Sequence, residues 1–315
     1  MPTCSVSFKC CRRGILSLAV GLFTLQFAAS ATAADAKPVR LLTVGNSFSA
    51  DAMTYFEELA EAGGQKLILR QVVLGGSSMA KHLELATAHE KNPKDGLYGN
   101  KRSLKENLLM DKWDIITIQQ RSLDSPKLDT YRPAAADLVK YIRKYAPQAE
   151  IVLHETWAYR KDDPMFQTSK PKPGDPRTQR AMYDGLKNAY DTIGKELGLR
   201  IIPVGDAFIA ADEDAKWGYV PAAKPKIEYP TPPEQPHSLH VGWKWSKAGG
   251  KDVLGMDGHH ASMAGRYLAG CVFYEFLFGV SPVGNSYVPP KLDADYARFL
   301  QETAHTAVQK RLGAR

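Results

Sequence analysis

A three-layer α/β/α fold around one parallel sheet is predicted by two observations. Five short runs rich in Ile, Leu and Val show little polar alternation, as strands buried on both faces do. Helix-patterned segments separate these runs, and strand alternating with helix builds an open sheet covered on both sides. The strand candidates are 39–45 ("VRLLTVG"), 67–73 ("LILRQVV"), 114–119 ("DIITIQ"), 150–155 ("EIVLHE") and 200–204 ("RIIPV"). The first helix is expected over 51–62, with Ser49 as its N-cap and Gly63-Gly64 as its stop. The next spans 133–145 and starts at Pro133, a residue suited to the first helical position. Further amphipathic runs cover 178–197, 263–278 and 293–311. Two segments break this rhythm: the polar, Pro-rich 160–177 and the Pro-, Gly- and Trp-rich 216–256. Both are too long for ordinary connections and read as lids, substrate-binding loops or mobile insertions.

The first 33 residues read as an export leader rather than part of the fold. Lys9, Arg12 and Arg13 precede the apolar run "GILSLAVGLFTLQFAA", and Ala31–Ala33 fits a small-residue cleavage site. "CRRGILS" approximates a twin-arginine signal, which leaves the export route open. The apolar run is short for a bilayer span of roughly 20 residues, so no stable membrane insertion is expected after cleavage. Residues 34–315 then form a single domain in the periplasm or outside the cell. The formal charge of the whole chain is +7, and three of its basic residues lie in the leader. With no basic stripe interleaved with aromatics, the chain carries no nucleic-acid signature. Cys4, Cys10 and Cys11 lie in the leader, so Cys271 is alone in the mature chain and no internal disulfide can form.

Chemistry is suggested first by "LLTVGNSFSADA" at 41–52. An apolar run stops at Gly45-Asn46-Ser47 and a helical pattern follows. In open α/β sheets, ligands bind beyond the carboxyl ends of the strands, where this corner lies. A serine there needs a base, and "GMDGHHAS" at 255–262 offers Asp257 and His260 three residues apart. In a loop, that spacing lets the carboxylate turn back onto imidazole Nδ1 and leaves the other nitrogen for the serine proton. Taken alone, the same residues also suit a helix-entry turn.

Together these blocks resemble the SGNH (GDSL-like) hydrolase superfamily. Its usual first block, Gly-Asp-Ser, is matched here by Gly45-Asn46-Ser47, and its last, Asp-x-x-His, by Asp257-Gly258-His259-His260. "LLTVGNSFS", "LGGSSM" followed by His82, and "IITIQQRS" look like a poorly characterised secreted bacterial branch of it. The resemblance implies a flavodoxin-like three-layer fold and a catalytic Ser47, Asp257 and His260. It also implies an oxyanion hole made by Ser47 N–H, the Gly76 N–H and a third-block amide. The usual Gly-x-Asn-Asp is absent from that block. Gln119 or Gln120 stands in its place, with Gln119 the preferred donor because strand alternation sends the two side chains to opposite faces.

His154, Glu155 and Trp157 end a strand on the same rim and are candidate pocket residues, Trp157 as a sugar platform. His237, His240, His259 and His260 are split across an irregular loop, a poor pattern for catalytic zinc, so no metal or cofactor is implied. The expected function is a secreted serine esterase that removes short acyl groups, acetyl above all, from a carbohydrate. A non-catalytic glycan-binding protein on the same fold is the rival from another class, and a lipase or thioesterase is the enzymatic one.

Overall fold

The computed structural model describes Met1, residues 37–223 and residues 225–313. The expected leader lies outside the described residues. Among them, no helix is long and apolar enough to cross a membrane.

The chain begins with strand β1 (Val39–Gly45), helices α1 (Ser47–Ala52) and α2 (Phe56–Ala62), and strand β2 (Leu67–Val73). Helices α3 (Met79–Lys91) and α4 (Leu104–Leu109) lead to β3 (Ile115–Ile118), and α5 (Ala134–Tyr145) leads to β4 (Glu150–His154). Helix α6 (Gln179–Leu197), strand β5 (Arg200–Ile202) and helix α7 (Val204–Asp212) follow. Strands β6 (His240–Ala248) and β7 (Lys251–Ala261) precede the last helices, α8 (Met263–Phe278) and α9 (Ala294–Gly313).

β1 to β5 form one parallel sheet in the order β2-β1-β3-β4-β5. The apolar runs are the reason. All four residues of β3 are buried, as are Leu41 to Gly45 of β1. Helices α1, α2, α7, α8 and α9 pack with one another, and α3, α4 and α5 form a second group. These are the outer layers of an α/β/α sandwich. Cys271 is buried within α8 and serves as a small apolar filler, its thiol pushed well up by burial.

Four local expectations change. The helix expected over 51–62 is two helices, α1 and α2, and α1 starts four residues earlier. Its N-cap is Asn46, whose side chain accepts the Phe48 N–H, while Ser49 is buried inside the helix. Strand 200–204 stops at Ile202, and α7 starts at Val204. Within the irregular 160–177, residues 164–167 form a 3-10 turn. Within 216–256 much of the chain is regular: β6 and β7 pair antiparallel as a separate hairpin. Gly249 and Gly250 turn it, with φ of 56° and 80°. A two-residue turn of that kind needs positive φ at both positions, and glycine supplies it at no steric cost.

Candidate active site

β1 sits inside the sheet, and its last residues carry Ser47 to the carboxyl rim. Gly45 leaves room for the Gln119 side chain, since a Cβ there would lie 2.8 Å from Gln119 Oε1. Asn46 then organises the corner. Its Oδ1 accepts from Phe48 N–H (3.0 Å) and from Gln119 Nε2 (2.7 Å), and its Nδ2 donates to the Ser77 carbonyl (2.9 Å). An aspartate could not make the last bond, having no N–H. The departure from Gly-Asp-Ser therefore has a physical cause: the Ser77 carbonyl needs a donor.

The loop at 74–78 is tied to the corner a second time. His82 is buried, with Nε2 3.1 Å from the Gly45 carbonyl and 2.8 Å from Ser77 Oγ. A carbonyl only accepts, so Nε2 carries the proton and Nδ1 accepts from Tyr98 OH (2.7 Å). Burial pushes the His82 pKa down to about 4, which keeps this network neutral. Gly76 sits in the same loop at φ 65°. Neither its N–H nor that of Ser47 has a partner among the described residues.

The base comes from the hairpin. Asp257 and His260 lie in β7 rather than in a loop, but a bulge does what a loop would have done. His240 pairs with Ala261 and Gly242 with Asp257, so one residue of β6 faces three of β7. Residues 258–260 leave the ladder and Asp257 turns back on them. Its Oδ1 accepts the His260 N–H (3.1 Å), and both carboxylate oxygens lie 3.1 Å from His260 Nδ1. The carboxylate fixes the tautomer with Nδ1–H, and Nε2 stands 3.0 Å from Ser47 Oγ. The three residues form one hydrogen-bonded chain across 213 positions of sequence.

Several residues hold the hairpin base against the sheet. Asp51 of α1 accepts the Ala261 N–H (2.9 Å) and pairs with Arg266 (2.8 Å). Arg160 is fully buried: its N–H donates to the Gly258 carbonyl (2.7 Å), and its guanidinium to Asp162, Gln235 and Ser238. Neither residue was singled out in the sequence, since an arginine in a polar loop reads as solvated. Lys244 was missed too. From β6 it reaches Asp257 Oδ2 at 2.8 Å.

Charge follows from this packing. Burial acts to raise the Asp257 pKa, but hydrogen bonds from His260 and Lys244 outweigh it and hold the carboxyl far below the usual range. The hydrogen bond to Asp257 raises the His260 pKa above its ordinary 6.5, against a smaller opposing effect of burial.

The pocket expectations are corrected in part. Trp157 is fully buried, stacked between Phe48 (4.2 Å) and Phe208 (4.6 Å), with Nε1 donating to the His259 carbonyl (2.9 Å). It is the floor beneath the bulge and not an exposed sugar platform. His154 is equally buried, edge-on to Phe273, and burial lowers its pKa to about 3. Glu155 faces away from the site, where its carboxylate accepts the Asp206 N–H (3.1 Å) and meets Arg311 (3.4 Å). A groove of about 780 Å³ between α6, α7 and α9 includes Asp206 and Arg311 and none of the three chain residues.

The two glutamines follow β3, outside the strand, and take different partners. Gln120 ties its own loop to the start of α3: Oε1 accepts from Met79 and Arg121 N–H, and Nε2 donates to Thr130. Gln119 spends one amide hydrogen on Asn46, beside the Ser47 corner. The histidines of the loop do not gather as a four-membered set. His240 is buried on the Ala158 carbonyl (2.9 Å), and His237 packs against Trp217 and Tyr296. Among the described residues, the group with donor spacing suited to a metal is Asp257, His259 and His260.

These features define a three-layer α/β/α protein with a Ser–His–Asp chain at the carboxyl rim of its parallel sheet. The chain belongs to the family described as a domain of unknown function (DUF4886), whose profile matches residues 40–214. It is similar to a DUF4886 family protein from Bacteroides uniformis, at 24% identity and a TM-score of 0.65, over 87% of this chain and 95% of that one. It is also similar to a provisionally assigned SGNH hydrolase from Slackia heliotrinireducens (22%, TM-score 0.47, 76% of this chain and 98% of that one). A third likeness is to a provisionally assigned GDSL-like lipase from Parabacteroides merdae (16%, TM-score 0.44, 77% and 96%). No curated protein matches. At these identities the likeness is one of fold.

Proposed function

We propose that the protein is an exported serine esterase that removes short acyl groups, most of all acetyl, from a carbohydrate. The observation that carries this reading is the continuous chain Ser47 Oγ–His260 Nε2 at 3.0 Å and His260 Nδ1–Asp257 at 3.1 Å. A serine hydroxyl is a poor nucleophile until a base takes its proton. Ser47 Oγ attacks the ester carbonyl carbon, and His260 Nε2 takes the hydroxyl proton. Asp257 holds the resulting imidazolium. The oxyanion meets the two free N–H groups of Ser47 and Gly76, with the second amide hydrogen of Gln119 as third donor. Collapse expels the alcohol, which takes its proton from His260, and water then releases the acyl group by the same steps.

The substrate class rests on the export leader and on the aromatic residues of the hairpin. With Trp157 buried, the aromatic faces the hairpin leaves for a sugar are those of Trp243 and Trp245 on β6, Trp245 beside Tyr229. An acyl channel that accepts long chains gains roughly 0.8 kcal/mol per buried methylene. A nitrophenyl ester series from acetate to octanoate reads this directly. We expect kcat/KM to fall after acetate or propionate and Ser47→Ala to abolish turnover. A rise through octanoate overturns the short-acyl reading in favour of a lipase, and wild-type turnover by Ser47→Ala overturns the mechanism.

A further inference from the structure

The Ser–His–Asp chain leaves one member of "DGHH" unused. His259 contributes its backbone carbonyl to Trp157, but its ring takes no part in the path from Ser47 to Asp257. On a regular strand, adjacent residues point to opposite faces, so His259 and His260 would stand on either side of β7. The bulge cancels that alternation. The two rings lie side by side, with centroids 4.3 Å apart.

The donors converge as well. His259 Nδ1 is 3.4 Å from Asp257 Oδ1, and His260 Nδ1 is 3.1 Å from both oxygens of the same carboxylate. One ligand atom from each of the three residues falls within 4.8 Å of the others. Zinc holds nitrogen and oxygen donors at roughly 2.0–2.2 Å in a tetrahedron, which spaces them about 3.3–3.6 Å apart. The two gaps to Asp257, 3.1 and 3.4 Å, are close to this spacing, and the two imidazole nitrogens are within 4.8 Å of each other. The imidazole side chains are 38% and 33% exposed, so an ion reaches them from solvent. Asp163 adds negative charge from below: its carboxylate lies against Gly258, where a Cβ would come within 2.3 Å of Oδ2. Two imidazoles and a carboxylate suit zinc, whereas calcium and magnesium call for oxygen donors.

We propose that Asp257, His259 and His260 form a zinc site, completed by water, and that zinc held there switches the esterase off. The ion takes the Asp257 carboxylate and His260 Nδ1, whose proton moves to Nε2, so the imidazole can no longer accept the Ser47 proton and zinc binding and turnover exclude each other. Lys244 opposes the ion, because its ammonium holds Asp257 Oδ2 at 2.8 Å. Its side chain is half exposed and swings into solvent when zinc enters. The inhibitory half of this proposal rests on the serine-esterase reading. The binding half does not.

The test titrates zinc chloride into the purified protein by calorimetry and follows nitrophenyl acetate turnover in parallel. The wild type should bind one zinc per chain and lose turnover as the site fills, with recovery on adding a chelator. His259→Ala should weaken zinc binding by about tenfold or more. Without zinc it should still fold and turn ester over, and that turnover should no longer fall when zinc is added. Ser47→Ala should bind zinc as the wild type does, and Lys244→Met should bind it more tightly. Absence of saturable binding, or undiminished binding by His259→Ala, overturns the site. Full turnover with zinc bound, or stimulation by zinc, overturns the switch. If no preparation turns over any ester, the calorimetry still decides the site and the esterase reading alone fails.

Discussion

The two halves of the candidate site are held in opposite ways. Ser47 stands on a corner continuous with the buried centre of the sheet, and its supports are neutral: Asn46, Gln119, Ser77 and His82. His260 and Asp257 stand on a hairpin outside that sheet, and their supports include charged groups: Lys244, Arg160, and Asp51 with Arg266. A nucleophile must not move, and a core of uncharged hydrogen bonds resists pH and salt. A base must gain and lose a proton, so its surroundings must respond to charge. Damage to the corner should therefore cost rate at every pH, while damage to the hairpin's charges should change how rate depends on pH.

The largest effect falls where the halves meet. His260→Ala removes the base and should lower kcat by roughly 10⁴–10⁶, with Asp257→Asn costing less. Steady-state turnover of a small activated ester reads both, and equal activity in His260→Ala and wild type breaks the link between hairpin and corner.

A smaller loss is expected within the corner itself. Asn46→Asp puts a carboxylate oxygen against the Ser77 carbonyl in place of a donor. We expect a stability loss of about 1–3 kcal/mol, read by urea unfolding. We also expect kcat to fall at all pH values, as the loop bearing Gly76 loses one of its ties to the corner. Gln119→Ala should share the kcat loss and Gln120→Ala should not, because both ends of the Gln120 amide are engaged by Met79, Arg121 and Thr130. Equal kcat losses in the two glutamine variants would merge what the hydrogen bonds separate.

Lys244→Met should give the smallest change, and one confined to pH. The base works only when neutral, and His260 is held above 6.5, so kcat/KM should rise with pH through a midpoint above that value. The Lys244 ammonium opposes protonation of His260. Its removal should move the midpoint to higher pH with little change in the plateau. Lys244 is half exposed, so salt should screen its effect and shrink the difference between the variants. A midpoint that stays in place would show that the hairpin charge does not reach the base.

Much of the parallel sheet was legible because both-face burial forces long apolar runs. β1 and β2 match their expected bounds, and β3 to β5 are shorter than expected by one or two residues. Other local signals were present in the sequence. Gly249-Gly250 between alternating residues marks a hairpin. Ser103 with Glu106 is a capping box ahead of α4, a helix not anticipated. Pro-rich surroundings and the exposed face of β6 hid the pattern, since a hairpin with little buried surface shows little apolar periodicity.

By itself the sequence determined where the chemistry-bearing residues stand along the chain. Ser47 ends a buried strand, and Asp257 and His260 are three apart, because strand termini and short spacings are local properties. Their meeting was decided by tertiary structure alone. A bulge in β7, fixed by its pairing with β6, turns Asp257 onto His260, and Asp51, Arg160 and Trp157 press that bulge toward β1. The same folding buried Trp157 and His154, which sequence position alone had set on the rim. Burial and hydrogen-bond partnership depend on what packs from distant segments, and a linear pattern carries no record of that.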